Sequence, residues 1–325
     1  MHEALTEGYM PTGQIEKVML GRTGLAVSKL CFGTSAIGDM AETFGYSVDA
    51  DRARATLKAI FAGPVNFLDT ARIYGHGRSE QRIGDVLKEI GGLPEGFVLS
   101  SKVDRDFETN AFNGARARRS LEESFEALGL DFIPLLHLHD PERAADMTDI
   151  VKPGGALSEL FKMKDEGLVG AVGLAAGRVE MMMQFLRDWD FDAIITHNRF
   201  TLVNRNAEPM IDFCAGRGIA VLNAAPYASG VLAKGSNIYK RYAYREATEA
   251  ILDPIRRIEG ICDRHGVPTG AAALQFSMRD PRVTATVAGV SRPERITQTL
   301  EWANWPIPDA AWEELLALPY DSEDI

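Results

Sequence analysis

Short, nearly unbroken apolar runs alternate with stretches of helical period along most of this chain. Runs such as Ala193-Ile194-Ile195 and Gly218-Ile219-Ala220-Val221-Leu222 lack polar alternation, as expected of strands covered on both faces. The pattern predicts strands at 29–33, 65–69, 97–102, 132–139, 169–174, 191–197, 218–223 and 283–289. Helical stretches are predicted between and after them at 49–62, 79–90, 113–128, 155–166, 178–188, 206–217, 247–265 and 293–303. Leu121, Phe125 and Leu128 illustrate the helical face, and Gly129 follows them as a stop signal. Eight such strand–helix units fit a (β/α)8 TIM barrel better than an open doubly wound sheet.

Three parts fall outside the repeat. Residues 14–28 place turn signals between two short apolar runs, which predicts a β-hairpin able to close the barrel's bottom. Residues 228–246, rich in Gly, Ser, Tyr and Arg, form a long connection after the seventh strand, of the kind that carries function or moves. Beyond Pro306 one short helix at 309–317 precedes an acidic end. A single barrel domain is expected across 1–325, with 1–13 as an N-terminal extension.

Composition narrows the classes of function. The 325 residues are 46% hydrophobic and 25% charged, which suits a globular enzyme-sized domain. No run approaches the roughly eighteen apolar residues of a membrane span. Residues 1–12 lack the basic and apolar regions of a secretory signal. Cys31, Cys214 and Cys262 are far apart, without metal-ligand spacing, and read as buried thiols in a reducing cytoplasm. A net charge of −11 argues against nucleic acid or an anionic membrane as partner, and any anionic cofactor would need a local basic pocket.

Candidate chemistry sits where the apolar runs end. Asp69, Lys102 and His139 each close a predicted strand, and Tyr74 rises from the loop after Asp69. Singly, each has a bland explanation: a turn cap, a solvated strand end, a packed ring. Together they form an acid–base system at the carboxyl ends of barrel strands, where such enzymes act. A phenol titrates near ~10, and an ammonium beside it favours the phenolate. Lys102 can supply that charge, Asp69 can hold Lys102, and His139 can orient a substrate oxygen or relay the proton. His137 shares the strand face of His139 and is assigned to a hydrogen-bonded interior layer.

A second constellation is Val287 to Arg295, a strand running into a helix. Ser291 and Glu294 have capping-box spacing, Pro293 suits a first turn, and Arg292 and Arg295 add charge for a phosphate. Pro226 to Leu232, after the seventh strand, supplies an opposing wall. Glycine-rich nucleotide signatures are absent, so a nicotinamide cofactor would bind outside the doubly wound fold.

The chain resembles the aldo-keto reductase family. The likeness rests on Gly21 to Gly33, Phe67-Leu68-Asp69-Thr70-Ala71 with Tyr74-Gly75 and Ser79-Glu80, Ser101-Lys102, His139, and Gly289 to Arg295. It implies a barrel that binds NAD or NADP extended across its C-terminal face. It also implies a catalytic tetrad of Asp69, Tyr74, Lys102 and His139, with reversible hydride transfer to a small-molecule sugar or aldehyde. Cofactor contacts are expected from Gly33, Thr34, Asn198, Pro226, Tyr227, Ser229, Gly230, Leu232, Gly289, Ser291, Arg292 and Arg295.

Three departures matter. Ala175-Ala176 replace the Ser-Asn that often holds the carboxamide, leaving that contact to His197 or Asn198. Ala224 stands where many members stack a tyrosine, and no lysine lies near Gly289, which weakens the grip on a 2′-phosphate while Arg295 remains; NAD and NADP both stay open, and NAD gains ground. Asn198 to Arg205 is similar to the dehydrogenases of L-fucose and D-threo-aldoses, and also to pyridoxal 4-dehydrogenases. That similarity implies oxidation of a cyclic hemiacetal to a lactone, with Asn198, Arg199 and Tyr227 as polar contacts. Alternatives are an NADPH-dependent aldehyde reductase and, less favoured by the intact tetrad, a non-catalytic cofactor-binding subunit like those serving ion channels.

Overall fold

The computed structural model describes residues 15–243 and 245–325, so the N-terminal extension at 1–13 lies outside the described residues. A hairpin of β1 (Lys17–Met19) and β2 (Ala26–Ser28) comes first. The barrel then takes β3 (Leu30–Gly33), β4 (Phe67–Asp69), β5 (Val98–Val103), β6 (Ile133–His139), β7 (Val169–Ala175), β8 (Ala193–His197) and β9 (Ala220–Ala224). A two-stranded ribbon, β10 (Arg241–Tyr242) with β11 (Arg245–Glu246), precedes the last barrel strand, β12 (Ala285–Gly289). The eight barrel strands are parallel, and β12 pairs with both β3 and β9 to close the ring. The fold is therefore the (β/α)8 barrel that the alternation predicts, with the predicted hairpin present.

Side chains alternate along each strand, so one parity faces the barrel interior. Phe67, Val98, Leu135, Ala171, Ala193, Ala220 and Ala285 belong to one interior cluster, which Leu20 and Val27 of the hairpin join from below. Gly21 permits that plug: a Cβ there would lie 2.6 Å from the Gly218 carbonyl oxygen. The opposite parity packs outward against the helices in a second, larger core. On β4, β5 and β6 the interior positions near the top are polar instead, and these are Asp69, Lys102 and His139. The barrel has a hydrophobic floor and a polar mouth.

Two parts of the chain differ from expectation. A helix at Thr269–Met278 was not anticipated between the helix at Glu249–Arg264 and β12. Its residues Ala271-Ala272-Ala273-Leu274 are buried all round, so it lacks the polar face that makes a helix visible as a period. The 228–246 connection is also not one loop. It holds a 3-10 turn at Ala228–Gly230, a short helix at Val231–Lys234 and the β10–β11 ribbon.

His137 is interior as assigned but not hydrogen-bonded: among the described residues neither ring nitrogen has a partner. Burial, with the charges of Lys102 and His139 adding to it, holds the ring well below its ordinary pKa, so it is neutral and packs as an apolar group. Gly173 makes room for it, since a Cβ there would lie 2.1 Å from His137 Nδ1 and 2.9 Å from the Ala193 carbonyl oxygen. Gly173→Ala is expected to cost about 1–3 kcal/mol by overpacking. Adding His137→Ala should recover part of that loss by removing the ring. Urea unfolding of the two variants checks this, and an unchanged midpoint for Gly173→Ala would refute the account.

Candidate active site

Interior parity brings Asp69, Lys102 and His139 to one level at the barrel mouth, 4%, 1% and 7% exposed. After β4 the chain turns sharply and delivers Tyr74 over the same opening. Gly75 and Gly38 allow that turn to press against the 35–38 segment: Gly75 has φ +62°, and a Cβ on it would sit 1.9 Å from the Gly38 carbonyl oxygen.

The ammonium of Lys102 is fully engaged. It lies 2.7 Å from Asp69 Oδ2, 2.6 Å from the Thr70 carbonyl oxygen and 3.3 Å from Tyr74 Oη. Ser100 Oγ donates to Asp69 Oδ1 at 3.1 Å, holding the carboxylate in register. Burial opposes the charge on Lys102, but Asp69 and Tyr74 outweigh it and raise the pKa, so Lys102 stays cationic. For Tyr74 the balance runs against expectation. Burial pushes the phenol above its ordinary value, and the pull of Lys102 toward the phenolate only partly offsets it. With protein groups alone, Tyr74 is a protonated acid held by a cation.

His139 stands edge-on to the Tyr74 ring, with centroids 5.8 Å apart and planes at 86°. Its Nδ1 lies 2.7 Å from Asp104 Oδ1, and its Nε2 lies 3.9 Å from Asp140 Oδ1. Burial works against the imidazolium, yet Asp104 and Asp140 prevail and raise the pKa above 6.5. Sequence reading missed Asp104. It continues the inward parity of Lys102 two residues on, which is the one signal that could have found it.

These groups lie in a cavity of about 870 Å³. Of the expected cofactor contacts, Gly33, Thr34, Tyr227, Ser229, Gly230, Gly289, Ser291, Arg292 and Arg295 line it. Asn198, Pro226 and Leu232 stand behind the wall. Asn198 supports the lining instead, its Oδ1 accepting from Ser229 Oγ at 3.0 Å, while Leu232 is buried in the outer core. Ala175, Ala176 and Ala224 line the cavity, so both alanine departures noted in the sequence lie on its surface, and His197, the expected substitute contact, lines it too. Arg199 is turned away: its Nε bonds Asp324 Oδ1 at 2.5 Å and its Nη2 bonds the Ile325 carbonyl oxygen. The expected capping box does not form, because Arg292 rather than Ser291 is the N-cap of the helix Pro293–Ala303 and no side chain caps it.

Lys234, Arg241, Arg292 and Arg295 also line the cavity. Among the described residues no carboxylate forms an ion pair with Lys234, Arg292 or Arg295. Burial first, then repulsion from Arg295, Arg241 and Arg292, lowers the pKa of Lys234. Lys234, Arg292 and Arg295, gathered without an ion-paired carboxylate among the described residues in a chain of net charge −11, make a site for an anion. The phosphates of a dinucleotide fit that chemistry. Lys234, whose Nζ lies 3.8 Å from the Tyr239 ring centroid, comes from the long connection and supplies a lysine that the sequence near Gly289 lacks. Among the described residues no cluster of three or more metal-ligating side chains occurs, and no helix is long and apolar enough to cross a membrane.

Comparison with known proteins agrees with this geometry. The model of the aldo/keto reductase family matches residues 29–318. A D-threo-aldose 1-dehydrogenase of a Pseudomonas species is 32% identical, over 90% of this chain and 94% of its own. A pyridoxal 4-dehydrogenase of Microbacterium luteolum is 30% identical, over 92% of this chain and 96% of its own. An aldo-keto reductase of Bacillus halodurans, solved in its holo form, superposes with a TM-score of 0.77 at 21% identity, covering 96% of this chain and 98% of that one. The chain is thus an oxidoreductase that uses NAD(P), and it belongs to the aldo/keto reductase family.

Proposed function

We propose that this protein oxidises the anomeric hydroxyl of an aldose of the L-fucose or D-threo-aldose type to the lactone, with NAD(P)⁺ as acceptor. The observation that carries the reading is the polarity of the cavity around the acid–base pair. Asp140, His197, Arg105 and Arg143 line it beside Tyr74 and His139, offering donors and acceptors to a polyhydroxylated substrate. The D-threo-aldose relative supports the same substrate class. Pyridoxal is the second reading, supported by the pyridoxal 4-dehydrogenase relative and by Phe44 and Tyr46 on the cavity wall.

Oxidised nicotinamide supplies the hydride acceptor when bound. Tyr74 Oη takes the hydroxyl proton, and Lys102 stabilises the phenolate that accepts it. The Nε2 edge of His139 orients the same oxygen, and Asp69 holds Lys102. Lys234, Arg292 and Arg295 would hold the cofactor's phosphates, and His197 would replace the missing carboxamide contact from β7. The scattered buried thiols fit work in a reducing cytoplasm.

Because burial keeps Tyr74 protonated, oxidation should accelerate from neutral to alkaline pH, and carbonyl reduction should slow over the same range. The test is initial rates with NAD⁺ and NADP⁺ over L-fucose, D-arabinose, L-galactose and pyridoxal across that range. Efficient turnover of one sugar series supports the reading. Failure to oxidise any of them, with NADPH-dependent reduction of simple aldehydes, makes the protein an aldehyde reductase. Cofactor binding with no turnover in either direction makes it a binding subunit.

A further inference from the structure

Asp104 is wholly buried, and it touches both halves of the acid–base machinery at once. Its Oδ1 lies 2.7 Å from His139 Nδ1, and its Oδ2 accepts from the backbone N–H of Ile73 at 2.8 Å, one residue before Tyr74. Its own backbone N–H donates to Ser120 Oγ at 2.9 Å, anchoring the end of β5 to the helix Gly114–Leu128. Among the described residues no lysine or arginine forms an ion pair with it; His139 alone does.

We propose that Asp104 is the positioning residue of this site, holding His139 as an imidazolium with its Nε2–H turned to the substrate oxygen while it fixes the backbone that carries Tyr74. The proposal rests on the reading that His139 contacts substrate. A carboxylate only accepts hydrogen bonds, so the ring nitrogen facing it carries a proton in either charge state. A buried carboxylate without a cation is costly, and protonating His139 provides the missing cation. The groups facing His139 divide by sign. Asp104 and Asp140 favour its charge, whereas Lys102 opposes it. His137 packs on the same face and is held neutral, as is His197, which burial lowers to about 4. Tyr74 presents its ring at 86° and a protonated phenol. Asp104 therefore turns the histidine from a neutral relay into a charged donor, able to stabilise negative charge on the reacting oxygen.

The test is titration of ¹⁵N-labelled histidine by NMR in the cofactor-free protein, with the His139 signal assigned by its loss in His139→Gln. The expected wild-type signal keeps Nδ1 protonated throughout and has a midpoint above 6.5. Asp104→Asn conserves size and an acceptor for Ile73 but removes the charge. It should lower the midpoint by about one pH unit or more. The same variant should lower kcat by about 10²-fold with KM little changed. A wild-type midpoint at or below 6.5 overturns the proposal even if the variant does not fold. So does an Asp104→Asn midpoint equal to that of wild type. The titration needs no substrate, so failure of the substrate assignment cannot be mistaken for failure of this one.

Discussion

Tyr74→Phe should reduce turnover at least about 10³-fold while leaving cofactor affinity within a few-fold of wild type. A placed acid–base group is worth roughly 10²–10⁴ in rate. Tyr74 Oη is the phenol that the cavity brings within reach of Lys102, at 3.3 Å, and beside His139. His139 has Nδ1 committed to Asp104, so that nitrogen is not free to take over as proton acceptor in the oxidising direction. The substitution keeps the ring that packs against His139 and removes one hydrogen bond from an ammonium that retains two others. Folding should therefore survive. Fluorescence titration with NADH and NADPH measures the binding arm, and rates with the preferred sugar measure the chemical arm. A variant that turns over as fast as wild type would remove Tyr74 from the mechanism.

The barrel was legible because burial on both strand faces writes itself as unbroken apolar runs. Ala193 to Ile195 and Ala220 to Leu222 appear in the structure as strands, with ends a residue or two from those read in sequence. The helix Thr269–Met278 was not legible, because a segment buried all round carries no period to detect. The fine structure of 228–246 was hidden for a different reason. Short helices and a two-residue ribbon are specified by packing against the barrel mouth, not by local propensity.

The site divides along the same line. Asp69, Lys102 and His139 stand out because a polar residue ending an apolar run at inward parity has few structural reasons to be there. Asp104 and Asp140 lie one step into polar loops, where an acid attracts no notice. Lys234 reaches the cavity only through the fold of its connection, and Asn198 is carried behind the wall by its left-handed backbone, at φ +60°. The protonation of Tyr74 was the hardest to foresee. Sequence reveals the ammonium beside it, but the opposing desolvation exists only once the cavity is built.

Lys102→Met is the second large effect expected, and it should act on stability as well as rate. Lys102 and Asp69 form a buried pair at 2.7 Å, with side chains 2% and 6% exposed. Removing one member of such a pair leaves the other charge without compensation, at a cost of about 3–5 kcal/mol. Ser100 Oγ alone cannot offset the desolvated Asp69 carboxylate. Turnover should vanish too, because Lys102 is the ammonium bonded to Tyr74 Oη, at 3.3 Å, and it stabilises the phenolate. The two effects separate in the double variant Asp69→Asn/Lys102→Met. With both charges gone the desolvation penalty disappears, so urea unfolding should return much of the way to wild type while activity stays absent. If Lys102→Met instead unfolds at the wild-type midpoint, the pair does not hold the barrel mouth. If the double variant recovers activity along with stability, the lysine serves the fold alone, and Tyr74 must reach its phenolate by another route.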